Sequence, residues 1–389
     1  MILENCRYLR DPRVGKEAKA LKENGYQVSV ISPVFARMPS YTLIEDVAVY
    51  GFPQLSFGGS TIGHLMEYIY ATLAIVTITA YLWLTQGFDI IHVANPPDCF
   101  IPMASVCKLF GKRLIYDQHD LSPELYVAKF SSPSRVLLRV LLLLERISYK
   151  LADHVIVTNE SCKEIAISRG ELLESKVTIV RNGPARERFQ NLTIDDVVRR
   201  KAPNIIAFAG IIGYQDGLDH LCRALKSLRR EMGREDFLCI VLGDGDALSH
   251  IKDYARDLAI DDKLWFTGWV SEPDVYCRYL FTADICVAPE PSNSYNDRST
   301  FVKIMEYMAA ARPTVAFDLP ENRLSAGESA LYAIPNDDQE FAAKIASLMD
   351  DPALRRTMGE VGRQRIETKL AWQYSIPSLM AAYDLVRDS

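Results

Sequence analysis

A chain of 389 residues with 49% hydrophobic and 24% charged content has the composition of a globular protein, and it is longer than one core usually serves. Net charge is −6 and uneven, with 21 Lys+Arg against 19 Asp+Glu in residues 1–190 and 23 against 31 in the remainder. That balance excludes a general nucleic-acid binder, while a weakly basic first half suits approach to an anionic surface. The eight cysteines (Cys6, Cys99, Cys107, Cys162, Cys222, Cys239, Cys277 and Cys286) form no CxxC pair, so neither a zinc site nor a disulfide framework is predicted. A reducing cytosol is the expected compartment, since Met1-Ile2-Leu3 is too short for a signal-sequence core.

In chain order, Met1-Ile2-Leu3-Glu4 reads as a strand end, followed by a loop through Arg10-Asp11-Pro12-Arg13-Val14. A helix is predicted from about Gly15 to Asn24, closed by Gly25, and then the strand Gln27–Ile31. This βαβ opening implies a parallel sheet. Between Tyr68 and Leu84 only Thr72, Thr77 and Thr79 are polar, which is the lower limit for a membrane span of roughly 20 residues. Because Phe88–Val93 follows as a strand of the same sheet, the expectation is a helix packed on that sheet, with lipid contact as the second reading. The strand Lys112–Asp117 leads into the loop Gln118–Glu124. A helix from Arg135 to Lys150 follows, with leucines for the core and a membrane surface as the alternative. Asp153–Thr158 and Val177–Val180 are further strands, and Arg181-Asn182-Gly183-Pro184 reads as a linker.

The alternation then restarts with strands at Ile205–Gly210, Leu238–Leu242, Leu264–Thr267, Ala283–Val287 and Thr314–Asp318. The fold class is therefore α/β, with two Rossmann-like domains of parallel sheets at residues 1–185 and 186–369. A terminal helix within 370–389 is expected to pack back on the first domain.

Ligands of open α/β sheets bind beyond the carboxyl ends of the strands. The second domain offers four loops there: Gly210–Gly217, Gly243–Asp246, Gly268–Val270 and Pro289–Thr300. Gly210, Gly213 and Gly243 would let backbone approach a ligand closely. A helix is predicted after the last loop, with Asp297, Ser299 or Thr300 as its cap and an N-terminus that favours phosphate. Arg298, Lys303 and Glu306 would then supply two cations near the positive end and a carboxylate two turns in, suiting a diphosphate and a hydroxyl-rich sugar. A merely solvated helix start is the alternative. In the first domain His119, beside Asp120 at a strand end, suits a sugar hydroxyl or proton movement, or else a local capping role. Asp11 and Arg13 share that edge, with Arg13 either reaching an anion or forming a surface ion pair. His92, His154, His220 and His250 lack metal-ligand spacing and read as structural. No acidic pair demands a divalent metal, and there is neither a GxSxG elbow nor a Walker loop, so no metal is expected.

These motifs, in this order, resemble the retaining glycosyltransferases of family 4. The matching segments are Asp11-Pro12-Arg13-Val14, Tyr116-Asp117-Gln118-His119-Asp120, Val180-Arg181-Asn182-Gly183, Val241-Leu242-Gly243-Asp244-Gly245, Phe266-Thr267-Gly268-Trp269-Val270, Met305-Glu306-Tyr307-Met308-Ala309 and Arg312-Pro313-Thr314-Val315. The resemblance implies the GT-B fold, two facing Rossmann-like domains with the active site between them. It also implies a metal-independent retaining enzyme that uses a UDP- or GDP-linked sugar as donor substrate, with no separate cofactor. Glu306 would bind the ribose, the backbone at Trp269 and Val270 the base, His119 the donor sugar, and Gly210, Gly213, Gly243 and Asp244 would line the donor site. Asp11, Arg13 and Asp120 would lie on the acceptor side, with a glycan or lipid-linked acceptor. The setting would be bacterial surface-polysaccharide synthesis in the cytoplasm, at the inner face of the membrane.

Two departures qualify the resemblance. The glutamate usual eight residues before Glu306 is Arg298, and the usual Arg and Lys after the second domain's first strand are Ile211 and Asp216. The expectation is that Arg298 and Lys303 replace the lost cations as a relocated clamp, with Asp297 or Asp216 taking over the sugar hydroxyls. The rival readings are an inactive binding subunit and a nucleotide-sugar epimerase. The oligomeric state is not encoded in any of these features.

Overall fold

Buried runs of Val, Ile, Leu and Phe form two parallel sheets, one in each half of the chain. The computed structural model describes residues 1–4, 6–35, 39–55, 61–96, 98, 100–130 and 132–387. Cys99 and the last two residues of the 370–389 segment lie outside the described residues. The chain divides into two units, Met1–Asn182 with Ser375–Ser389, and Gly183–Tyr374.

The first unit holds β1 (Ser29–Val34), β2 (Tyr41–Ile44), β3 (Val47–Pro53), β4 (Ile90–Asn95), β5 (Arg113–Gln118), β6 (His154–Val157) and β7 (Val177–Ile179). They run in the orders β1-β3-β2 and β4-β5-β6-β7. Ile2 joins the two by bridging Ile31 on β1 and Val93 on β4, so the predicted strand end at Met1–Glu4 contributes a single bridging residue. All pairings are parallel except β2 with β3. That hairpin has no counterpart among the predicted strands. Its signal was the alternation along Val47-Ala48-Val49-Tyr50 and a two-residue turn at Glu45-Asp46, both with positive φ (47° and 62°).

Three helices of this unit matter below. Pro12–Glu23 starts with Pro at its first position and Asp11 as cap, whose carboxylate accepts from the Arg13 and Val14 amides at 3.0 Å. Thr61–Thr85 buries Ala71, Ile75, Thr79 and Leu82 but exposes Met66, Tyr68, Ile69, Leu73, Val76, Tyr81 and Leu84. Over Met66–Thr85 it is, among the described residues, the one helix long and apolar enough to cross a membrane by length and composition. Arg135–Leu151 corrects the core-packing expectation. Glu145, Ser148 and Tyr149 face inward, while Val136, Leu137, Val140, Leu143 and Ile147 are exposed beside Arg135, Arg139, Arg146 and Lys150. The inward stripe is polar because Glu145 is held by Arg169 at 2.6 Å and Tyr149 by Gln118 at 2.9 Å, leaving the apolar stripe outside. The terminal helix Ile376–Arg387 buries Leu379, Ala382, Tyr383 and Val386 against this unit.

The second unit holds β8 (Asn204–Ala209), β9 (Phe237–Leu242), β10 (Leu264–Gly268), β11 (Ile285–Ala288), β12 (Thr314–Phe317) and β13 (Ala330–Ala333). Its order is β10-β9-β8-β11-β12-β13, all parallel. Every residue of β8 and β11 is buried. Packing around Phe208, Phe237, Phe317 and Phe341 supplies one core layer, each such side chain stabilising by roughly 1.5–3 kcal/mol. Chain progression reverses between β8 and β11, so the loops after these two strands flank a topological switch point, where open sheets place their ligands.

Candidate active site

At the switch point the loops interlock. The Gly210 amide donates to Leu242 O (3.0 Å), the Ile212 amide to Asp244 O (3.0 Å) and the Gly243 amide to Gly268 O (3.1 Å). Gly243 has φ 151°, and a Cβ there would lie 1.8 Å from Gly210 O. The close approach expected between these glycines and a ligand is therefore, at Gly243, an approach of one loop to the next. A Cβ on Gly213 would meet Gln215 and Asp216, the latter of which accepts from the Gly213 amide at 2.9 Å. Asp244 is exposed and accepts from the Gly245 amide at 2.8 Å. Trp269 is half-exposed and Val270 partly buried, packed on the core.

The Pro289–Thr300 segment corrects the predicted capped helix. Asn296–Arg298 form a 3-10 turn, Ser299 is extended (φ −94°, ψ 134°), and the helix runs from Val302 to Ala309 with Phe301 at its N-cap and no side-chain cap. The expected caps are engaged elsewhere: Asp297 accepts from Ser292 Oγ (3.2 Å), Ser299 Oγ donates to Tyr295 O (2.8 Å) and Thr300 Oγ1 to Glu321 (3.4 Å). Because helical geometry stops at Ser299, Arg298 does not share a helix face with Lys303. Its guanidinium donates to Ser294 O at 2.7 Å. Lys303, 9% exposed, is bound to the fully buried Glu290 and stands 4.2 Å from the Phe208 ring centroid. Glu306 accepts from Tyr276 Oη at 2.6 Å, and Arg188 Nη1 stands 3.7 Å from its other oxygen. Burial, then the neighbouring Glu306 charge, push the Tyr276 phenol well above its usual range and keep it a donor.

Glu290, Tyr276 and Arg188 were not among the predicted residues. Glu290 carried one signal, a carboxylate between two prolines directly after a buried strand. The other two carried none, because their partner lies far along the chain. Four buried acceptor oxygens around this loop have no donor among the described residues: Gln215 Oε1, Glu290 Oε2, Asn296 Oδ1 and Asp297 Oδ1. Buried acceptors are normally satisfied, and these four, each almost without accessible surface, lie in the loops after β8 and β11.

In the first unit Arg13 is neither an open anion site nor a surface ion pair. It is 2% exposed, with Nη2 and Nε donating to Asp117 at 2.7 and 3.1 Å and Nη1 donating to Val180 O at 2.7 Å. The helix that Asp11 caps points Arg13 inward, and an unpaired buried Asp117 would be strongly unfavourable. His119 Nε2 bonds Asp117 at 2.6 Å. Burial alone would lower the His119 pKa, but the Asp117 carboxylate outweighs it and holds the imidazole up to about 9. The side chain of Asn95 fixes the loop, accepting from the His119 amide (2.7 Å) and the Asp120 amide (3.3 Å) and donating to Asp120 O (3.0 Å). Glu17, His92 and Asp117 bring ligand atoms within 4.8 Å of one another, a metal-like spacing. The Arg13 guanidinium already lies on both carboxylates, 3.2 Å from Glu17 and 2.7 Å from Asp117, and takes the cation's place.

Residues 14–188 match the family model Glycosyltransferase Family 4, and residues 203–351 match Glycosyl transferases group 1. Chitobiosyldiphosphodolichol beta-mannosyltransferase of Candida albicans is 24% identical over 375 residues, covering 90% of this chain and 80% of that protein. Sucrose-phosphate synthase from Thermosynechococcus elongatus superposes with TM-score 0.77 at 18% identity, covering 97% and 93% of the two chains. Anabaena HepE in complex with UDP and glucose gives 0.73 at 16% identity, with 98% of each chain covered. One model matches most of the first unit and the other most of the second, and each unit has the parallel α/β sheet of GT-B enzymes, so the chain belongs to glycosyltransferase family 4 and is a glycosyltransferase.

Proposed function

We propose that the protein transfers a sugar from a nucleotide-diphosphate donor to an acceptor hydroxyl with retention of configuration and without a metal. The observation that carries this reading is the helix Val302–Ala309 at the switch point, which bears Lys303 and, oriented by Tyr276, Glu306. The Lys303 ammonium with the first amides of Val302–Ala309 suits a diphosphate. Glu306, already oriented by Tyr276, is the ribose ligand in this reading. Retention is supported by His119: an imidazole held up to about 9 carries its proton at neutral pH and is a poor base for an inverting attack. The departing diphosphate oxygen would instead accept the acceptor's proton, with its charge stabilised by Lys303 and helix amides.

On the acceptor side, the exposed apolar stripes of Thr61–Thr85 and Arg135–Leu151, the latter flanked by four basic residues, suit a peripheral membrane enzyme at the inner face acting on a lipid-linked acceptor of surface-glycan synthesis. The Candida relative's name includes a diphosphodolichol-linked sugar, which fits that acceptor class.

Incubation with UDP- and GDP-sugars, with and without chelator, tests the donor. Slow nucleotide release that survives chelation is expected, and no release from any of them overturns the reading. Proton NMR of the product settles the anomer, with inversion counting against the retaining step.

A further inference from the structure

Resting on the reading of His119 as the side chain that meets the sugar, we infer that Glu17 is a positioning residue. Acting through His92 and Asp117, it controls the charge of the His119 ring. Asp117, fully buried, receives Arg13 and His119, and its Oδ2 lies 3.4 Å from His92 Nε2. The same His92 nitrogen lies 3.5 Å from Glu17 Oε2, so it stands between two carboxylates. Both Glu17 oxygens lack a well-directed hydrogen bond among the described residues, and Oε1 lies 3.2 Å from Arg13 Nε as an ion pair. On its far side His92 Nδ1 is tied to Tyr383 Oη at 2.8 Å, which holds the ring in place from the terminal helix.

Charge balance gives this layer its consequence. Arg13 and protonated His119 place two positive charges against the single Asp117 carboxylate, and ionised Glu17 would complete the balance. A carboxyl without a well-directed hydrogen bond in this setting does better protonated, and burial followed by the Asp117 charge raises Glu17 to about 8. Burial keeps His92 neutral by lowering its pKa. The groups facing the layer are Asp11, Arg13 and Glu17 from Pro12–Glu23, His92 from β4, Asp117 and His119 from β5, Tyr383 from the terminal helix and the buried Met1 amino group. Of these, Glu17 and His119 titrate closest to each other. Ionisation of Glu17 therefore strengthens the imidazolium just before His119 itself loses its proton.

The test is NMR of the full chain carrying isotope-labelled histidine, titrated from neutral to alkaline pH. In the unaltered protein the His119 ring is expected to inflect twice, first with Glu17 and then with its own proton. Glu17→Gln should leave one inflection, displaced downward by about one pH unit, the scale of one buried charge lost. The alkaline limb of the kcat profile for nucleotide-sugar turnover should move the same way. A single His119 inflection in the unaltered protein, unmoved in Glu17→Gln, overturns the inference, and this outcome needs no variant to fold. If the ring titrates in two steps while the kcat profile stays put, the coupling stands and the assignment of His119 to the sugar fails.

Discussion

Lys303 and Glu290 hold each other in a pair whose side chains are 9% and 0% exposed, with the Lys303 ammonium 3.0 Å from where a Cβ on Gly210 would sit. The cation proposed to meet a diphosphate is thus already paired inside the protein. Lys303→Met strips a buried carboxylate of its partner and is expected to cost about 3–5 kcal/mol of stability. Glu290→Gln keeps the shape, frees the ammonium and should tighten UDP binding several-fold. Isothermal titration with UDP on Glu290→Gln and on the double variant separates the effects. The double variant should recover most of the stability but bind UDP at least about tenfold more weakly, the worth of one charged contact.

Arg13 and Asp117 form the corresponding pair of the first unit. Arg13→Met leaves Asp117 buried with His119 as its remaining close cation, and about 3–5 kcal/mol of stability should go, read as a lower urea midpoint. Asp11→Ala removes only a helix cap and should cost about 1 kcal/mol.

His119 sets a pH window. Its folded pKa, about 9, lies above the ordinary 6.5, so its stabilisation is complete below 6.5 and is lost as pH rises through 9. The stability difference between the unaltered protein and His119→Asn should therefore shrink across that interval, measured by urea unfolding at several pH values. Glu17 is also raised, from 4.5 to about 8, so Glu17→Gln should gain on the unaltered protein as pH rises from 4.5 to 8, with no further gain above that.

The exposed stripe of Arg135–Leu151 predicts binding to anionic vesicles. Leu143→Glu and Arg139→Glu should each reduce co-sedimentation with phosphatidylserine-containing liposomes. Both positions are exposed, so stability should stay within about 0.5 kcal/mol. High salt should weaken the association without abolishing it, because part of the attraction is apolar.

Gly243→Ala should destabilise the second unit by about 2 kcal/mol or more. The added Cβ meets Gly210 O in a backbone region that L residues rarely adopt. A fall in Tm accompanied by weaker UDP binding would tie the two loops to one site.

Much of the fold was legible because its signal is local. A buried parallel strand is a short apolar run such as Ile205-Ile206-Ala207-Phe208-Ala209, and its loop is punctuated by glycine, so strand order along the chain could be read directly. The strands that escaped are those with weaker local signals: the hairpin Tyr41–Pro53, and Ala330–Ala333 at a sheet edge. Glu306 was named from its motif, and the structure sets it against Tyr276 and Arg188. The helix cap was not, since Asp297, Ser299 and Thr300 are equally good caps on paper and the backbone turn at Ser299 chose none of them.

By itself the sequence determined the two α/β units, the loops at the strand ends and the family, all of which follow from residue type and spacing. Tertiary structure alone decided which charges and polar groups face each other. Arg13 meets Asp117 across 104 residues of chain, His92 meets Tyr383 across 291, and Glu306 meets Tyr276 across 30. Burial forces such pairs because a charge or polar group removed from water must find its partner inside, wherever along the chain that partner lies.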